Sequence, residues 1–308
     1  MNYSIFKLKF TVGVHFGSGG LVKTDNVIYA DGIFSALCCE AANLDSALIE
    51  KLVKEAETGN LIFSDAMPYI GDSLYIPKPL VLPDVDEEGD SIVKKMMKKL
   101  PYIPVKAIGD FFSGNMNIPE ISEIFQKKFS HKRLVQKVKI NGKNGDTEPF
   151  DVEVCEYSKE SGLYVIVGYN DKNVFEIVEK LFKALSYVGI GGERSSGYGK
   201  FKLTIEEMDD NYKALLEKEY SEYEIISVAL PRENEADVLE EAQYSVIRRS
   251  GFVTSDEFSD RPLKKRNLYL LKSGSIVKNK FKGQIIDVAD SGSHPVYRYA
   301  CPLFVGLR

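Results

Sequence analysis

From Tyr3 to Val14 apolar and polar positions take turns, and Ile5, Leu8, Phe10, Val12 and Val14 predict an opening strand with one mostly buried face. The period then changes to a helical one. Ile33, Phe34, Leu37 and Cys38 form an apolar stripe over Gly32–Ala41, and Asp31 just ahead has the chemistry of an N-cap. A second helical run, Leu44–Thr58, ends at Gly59, a residue suited to the left-handed C-cap. Farther on, Phe150–Tyr157 and Leu163–Tyr169 predict strands. Asn173–Tyr187 predicts a helix through Val174, Ile177, Val178, Leu181 and Leu185, and Lys200–Ile205 alternates as a strand once more. Strand, helix, strand, strand, helix, loop, strand accounts for Tyr3–Glu207 as one elaborated α+β unit.

Between these elements the pattern loosens. Acids at Asp84, Asp86, Glu87, Glu88 and Asp90 precede Lys94, Lys95, Lys98 and Lys99, which predicts a solvated turn and an exposed helix. Residues 84–160 thus read as an insertion, a thumb or interaction lobe. Glu206–Glu241 carries thirteen acids against three Lys/Arg and marks a seam, after which Glu224–Leu230 starts a second set of strands. The expected domains are 1–208 and 221–308. Strand candidates Asn267–Leu271 and Gln284–Val288 frame Gly274, and Pro302–Leu307 closes the chain.

At 308 residues the chain has room for two ordinary domains, and 44% hydrophobic with 28% charged residues describes a soluble globular protein. A net charge of −5 excludes a uniformly basic coat but leaves room for a local basic groove. Cys38, Cys39, Cys155 and Cys301 have no paired C-x-x-C spacing, so neither a zinc site nor a disulfide framework is expected, and reduced cytoplasmic thiols are. No signal peptide and no membrane-length apolar run is read.

Candidate chemistry concentrates in Gly189-Ile-Gly-Gly-Glu-Arg-Ser-Ser-Gly-Tyr-Gly-Lys200. Gly189, Gly191, Gly192, Gly197 and Gly199 permit positive φ and close approach, while Arg194, Ser195, Ser196 and Lys200 supply donors suited to phosphate oxygens. The residues alone leave a plain connector and an anion-binding turn both open. A dinucleotide or Walker site is disfavoured, because this loop follows its helix and precedes a strand. His15-Phe16-Gly17, ending the first strand, suits a general acid/base, a base-binding group or a capped strand end. Gln126–Lys143 holds seven Lys/Arg and no acid, a solvated edge or a binding stripe. Arg261–Lys282 holds eight and no acid. Together with Tyr269, Phe281, Tyr297 and Tyr299 it reads either as single-stranded RNA recognition or as a protected basic edge.

Gly191–Phe201 resembles the signature loop of the RAMP superfamily, RNA-binding subunits of CRISPR effector complexes. In those proteins the loop lies between the second helix and last strand of a ferredoxin-like, RRM-like domain. His15-Phe16-Gly17, Ala30–Leu37, Phe63–Pro68 and Tyr75-Ile-Pro-Lys-Pro79 are similar to one subunit family of the type III-A Csm complex, as are Ser250–Val253, Lys272-Ser-Gly-Ser275 and His294–Tyr299. Position 32 departs from that pattern, with Gly where a larger residue is expected.

The resemblance implies two ferredoxin-like domains and a non-catalytic subunit gripping the 5′ handle of the crRNA. It would link the large polymerase/nuclease-type subunit to the backbone RAMP subunit of the filament, in the cytoplasm, with no metal, cofactor or membrane. The implied RNA contacts are His15, Phe16, Gly17, the loop from Gly189 and Gly191 through Glu193, Tyr198 and Lys200, then Arg248, Arg249, Ser250, Gly251, His294, Tyr297 and Arg298. The alternative is a metal-independent RAMP endoribonuclease using His15 or His294. A phosphometabolite enzyme is a third reading, disfavoured by the loop's position and the lack of a paired carboxylate motif.

Overall fold

The computed structural model describes residues 1–17, 20–81, 91–140, 147–253 and 263–307. Strand β1 (Asn2–Phe10) buries Ile5, Phe6 and Leu8. Two short strands, β2 (Phe16–Gly17) and β3 (Thr24–Asp25), pair with each other. Helix α1 (Ala30–Leu44) starts earlier than its apolar stripe predicts, with Tyr29 at the N-cap position and Asp31 inside the first turn. Asp31 is therefore not the cap. Asp65, far along the chain, does that work: its Oδ1 accepts from the N–H of Ala30 at 2.7 Å and of Val228 at 3.1 Å. Helix α2 (Ala47–Thr58) stops as predicted, with Gly59 at φ 80°.

Strands β4 (Leu61–Phe63), β5 (Met67–Ile70) and β6 (Ser73–Pro77) lead to α3 (Ser91–Lys99), β7 (Tyr102–Pro104), α4 (Ile108–Phe112) and α5 (Ile118–Lys128). The acids of residues 84–90 lie outside the described residues. Much of the expected insertion is integral rather than a separate lobe. β7 pairs with β6 at the sheet margin, and Ile103, Phe111, Phe125 and Phe129 enter the principal core. What stands apart is a ribbon of β8 (Ser130–Ile140) and β9 (Thr147–Tyr157), with Leu134, Val138 and Ile140 exposed on it. The strand predicted over 150–157 is β9, but its partner is β8; it meets the body through the Cys155–Val14 bridge and through Glu153, whose N–H donates to the Leu21 carbonyl at 2.8 Å.

The sheet's middle is β10 (Ser161–Tyr169), buried along nearly its whole length as its unbroken apolar run requires. Helix α6 (Lys172–Val188) follows, capped by Asp171, whose Oδ1 accepts from the Asn173 N–H at 2.8 Å. Strand β11 (Phe201–Glu207) then returns antiparallel to β1. The order β11-β1-β10-β5-β6-β7 puts the first and third strands of a strand–helix–strand–strand–helix–strand unit side by side, with β5 as its second strand.

Helix α7 (Asp210–Glu217) ends the first half. The second half carries β12 (Tyr223–Ile225), β13 (Val246–Arg249), β14 (Leu268–Leu271), β15 (Ile276–Val277), β16 (Gln284–Asp287), β17 (Tyr297–Ala300) and β18 (Phe304–Gly306). They make a β15-β12-β18 sheet and the ribbons β13–β14 and β16–β17. A second ferredoxin-like unit was expected over 221–308; among its described residues there is one 3₁₀ segment, Glu233–Leu239, and no α-helix.

The physical reason is that these strands use helices already built. β17 packs on α1, β16 on α2 and β18 on α7. Ile226, Val228, Leu270, Tyr299 and Val305 share one apolar interior with Phe34 and Phe63. Tyr299 sits 5.3 Å from the Phe34 ring, and its hydroxyl accepts from the Phe63 N–H at 2.9 Å. Tyr299 and Phe281 are thus buried and unavailable to stack on bases. Among the described residues no helix is long and apolar enough to cross a membrane.

Candidate nucleic-acid interface

A cleft of about 270 Å³ opens between β2–β3, the start of α1, the glycine loop and strands β13 and β17. Its centre is an acid held by two bases. Side chains alternate along β13, so Arg249 turns inward and Arg248 to solvent. Arg249 Nε donates to both oxygens of Asp31 at 3.1 and 3.0 Å, Nη2 lies 2.9 Å from Oδ1, and the guanidinium sits 4.7 Å from the Tyr29 ring centroid. From β17, buried Arg298 donates Nη1 to the other carboxylate oxygen and Nη2 to the Ser250 carbonyl at 3.2 Å. Burial by itself raises the Asp31 carboxyl pKa, but Arg249 and Arg298 together outweigh it and hold that carboxyl below its ordinary range.

One carboxylate between two guanidiniums leaves positive charge in excess. Lys265 adds to it, donating Nζ to Ser35 Oγ at 3.2 Å, and burial pulls its pKa down. Arg298 Nε is buried without an acceptor in the wall of this cleft. An unmet charged donor is costly, and it adds to the positive charge beneath the cleft wall.

The glycine loop borders this cleft, and many of its amides turn inward rather than toward a ligand: Gly189 bonds Leu185, Ile190 bonds Gly199, and Gly192 bonds His15 at 2.8 Å. Ser196, Gly197, Tyr198 and Gly199 likewise bond chain carbonyls. The glycines allow the loop to close on itself. A Cβ at Gly199 would stand 2.2 Å from the Ile190 oxygen, and one at Gly191 would stand 2.8 Å from the His15 oxygen. Arg194 reaches the cleft with Nη1 3.9 Å from Glu40.

His15, Phe16, Gly17, Gly191, Gly192 and Arg194 come together with Arg249, Ser250, Tyr297 and Arg298 around the cleft. His15 is buried there, and its Nδ1 lies 2.8 Å from the Glu153 carbonyl, so that nitrogen carries the proton. Phe16 is mostly core. Gly189, Glu193, Ser195, Ser196, Gly197, Tyr198, Gly199 and Lys200 do not line the cleft, and neither do Arg248, Gly251 and His294. Glu193 and Tyr198 instead hold the ribbon: Lys137 Nζ is 2.6 Å from Glu193 and 4.5 Å from the Tyr198 ring centroid. Lys132 and Arg133 also face acids, Glu153 at 3.9 Å and Glu156 at 2.7 Å. For these three residues the basic run is internally paired.

Sequence reasoning missed Asp31, Tyr29, Ser35 and Lys265 as cleft residues. The Lys264-Lys265-Arg266 run was a signal for one; for Asp31 there was none, because a helix-start aspartate looks like a cap.

A split strand–helix–strand sheet with a glycine loop behind its second helix is the arrangement of a RAMP-superfamily protein, and that superfamily's model matches residues 7–202. The CRISPR Csm4 C-terminal domain model matches residues 218–307. The chain belongs to the Csm4 family. A Mycobacterium tuberculosis relative described as CRISPR system Cms protein Csm4 is 32% identical over 309 aligned positions, spanning 100% of this chain and 98% of its own length. A Streptococcus thermophilus relative of the same description is 30% identical over 318 positions, with 100% of both covered. Among solved structures, the Csm3-Csm4 subcomplex of the type III-A CRISPR-Cas interference complex matches with TM-score 0.69 at 20% identity over 100% of both chains. The Csm1-Csm4 cassette in complex with pppApA matches with TM-score 0.63 at 20% identity, over 100% of this chain and 98% of the other. At such identity these two speak for the fold.

Proposed function

We propose that the cleft grips the repeat-derived 5′ handle of a CRISPR RNA without cutting it, and that the protein joins the large polymerase/nuclease-type subunit to the backbone RAMP subunit of a type III-A Csm filament in the cytoplasm. The observation that carries this reading is the Asp31–Arg249–Arg298 cluster. With Arg194 and Lys265 in the same lining it leaves surplus positive charge beside Tyr297, charge for phosphate and a ring for a splayed base. The strand order fits the first ferredoxin-like unit of a RAMP protein. The partner assignment draws support from related structures described as pairing Csm4 with Csm3 and with Csm1.

Absence of cleavage is favoured by the two histidines. His15 is buried with Nδ1 committed to Glu153, whereas His294 lies outside the cleft with Nδ1 2.9 Å from the Pro295 carbonyl. No acid–base pair is assembled from them.

Filter binding of wild type and Arg249→Ala to a handle-bearing RNA across a salt series tests the reading. Wild type should bind; the variant should lose roughly tenfold or more and show a salt slope shallower by about one. Discrete RNA cleavage in chelator, abolished by His15→Ala, would replace this reading with the endoribonuclease.

A further inference from the structure

Two stretches that carry the family resemblance, Tyr75–Pro79 and Lys272–Ser275, take no part in the arginine cleft. They meet each other instead. The Lys272 turn needs Gly274 at φ 95°, where a Cβ would come within 3.0 Å of the Lys78 carbonyl oxygen. It is pinned by the Leu80 N–H donating to the Gly274 carbonyl at 2.9 Å and by Ser275 Oγ donating to the Lys272 carbonyl at 2.6 Å. Lys78 in turn donates Nζ to the Met97 carbonyl at 2.6 Å, satisfying the end of α3 and fixing Lys98 and Lys99 nearby.

The result is a second cleft of about 400 Å³ whose rim carries Lys98, Lys99 and Lys272. Among the described residues no carboxylate pairs with any of these three, and Asp25 is the one acid in the lining. Tyr29 and Tyr102 form its apolar depth, with the hydroxyl residues Ser245 and Ser273 beside them. The two clefts are back to back: Asp25, Val27 and Tyr29 line both, so one short segment is the wall between them.

We propose that this second cleft takes the phosphodiester and ribose of a further nucleotide of the same single-stranded RNA, the strand passing over the Asp25–Tyr29 wall. The proposal rests on RNA occupying the arginine cleft. Lys98, Lys99 and Lys272, which pair with no carboxylate among the described residues, would also suit an acidic peptide. RNA is favoured by continuity with the arginine cleft across the shared Asp25–Tyr29 segment, and by the mix of tyrosine and hydroxyl groups between the cations.

The test uses a reconstituted effector complex with guide RNA carrying 4-thiouridine at successive handle positions, photocrosslinked and mapped by peptide. Wild type should crosslink at the Lys272 turn or the end of α3, one or two positions from the nucleotide that crosslinks near Tyr297. The triple variant Lys98→Ala, Lys99→Ala, Lys272→Ala alters exposed side chains only. It should lose that crosslink, weaken RNA retention by about tenfold and lower the salt slope by about 2 to 3, while keeping the Tyr297 crosslink. Crosslinks confined to the arginine cleft, with retention unchanged in the variant, overturn the proposal and leave the function above standing. A variant that keeps RNA but no longer enters the complex assigns the cleft to a protein surface and also overturns it. If no handle position crosslinks either cleft, the function above and this inference fall together.

Discussion

From Gly189 to Lys200 the candidate residues are contiguous, and most of their amides are bonded back into the chain. Around Asp31 the candidates come from positions 15, 194, 249 and 298, and their polar groups converge on a cleft. The loop is conspicuous in the sequence because it has an unusual backbone to build. The cleft is inconspicuous because it is made of ordinary arginines and one ordinary aspartate. A glycine-rich signature can therefore be scaffold, positioning a site whose chemistry is supplied from elsewhere.

The sharpest way to break this contrast is Asp31→Ala. Two partly or wholly buried guanidiniums would lose their counter-charge, at a cost of about 3–5 kcal/mol, and handle binding should fall with it. Thermal melts together with RNA retention check both; a variant as stable as wild type would show that the cluster is not the centre of the cleft. Gly199→Ala comes next. Its Cβ would meet the Ile190 oxygen and its φ of 81° disfavours any L side chain, so a loss of roughly 2–4 kcal/mol is expected. Gly197→Ala, at φ 88° with open space around it, should cost only roughly 1 kcal/mol; equal losses from the two would contradict the scaffold role.

The two buried aspartates, Asp31 at the centre of the cleft and Asp65 behind the start of α1, should respond to pH in opposite directions. Asp31, its folded pKa depressed by the arginines, contributes stability above its unfolded value of about 4 that is lost as pH falls through the folded value. Asp65 is driven the other way. Burial pushes its carboxyl up to about 7, with Oδ2 lacking a partner, so its contribution is complete below about pH 4 and is lost as pH rises through about 7. Asp65→Asn should accordingly gain roughly 2 kcal/mol more relative to wild type at pH 8 than at pH 5, read from denaturant midpoints. A pH-independent difference would mean that Asp65 does not titrate in this range.

The smallest effect belongs to Lys200→Ala. Its side chain is exposed and away from the cleft, while its carbonyl, which the substitution keeps, accepts from the Thr11 N–H at 3.0 Å. Stability should move by less than about 0.5 kcal/mol and the salt slope of RNA binding should stay put. A clearly shallower slope would return the loop to the phosphate contacts.

The chain's own pattern determined the first half well. The periods of 2 and 3.6 marked β1, α1, α2, β10, α6 and β11 within a few residues, Gly59 ended α2, and the Gly191–Phe201 motif led to the right family, because each of these signals is local in sequence. Tertiary structure decided the rest. Strand β9 left the sheet for a ribbon, and the second half needed no helices of its own because α1, α2 and α7 already offered apolar faces to cover. Whether Arg248 or Arg249 faces the cleft was settled by the register of β13 against β14. Asp31 became the cleft's counter-ion because Asp65 had taken over the cap of α1, a substitution of one carboxylate for another that only contacts between residues far apart in the chain can make.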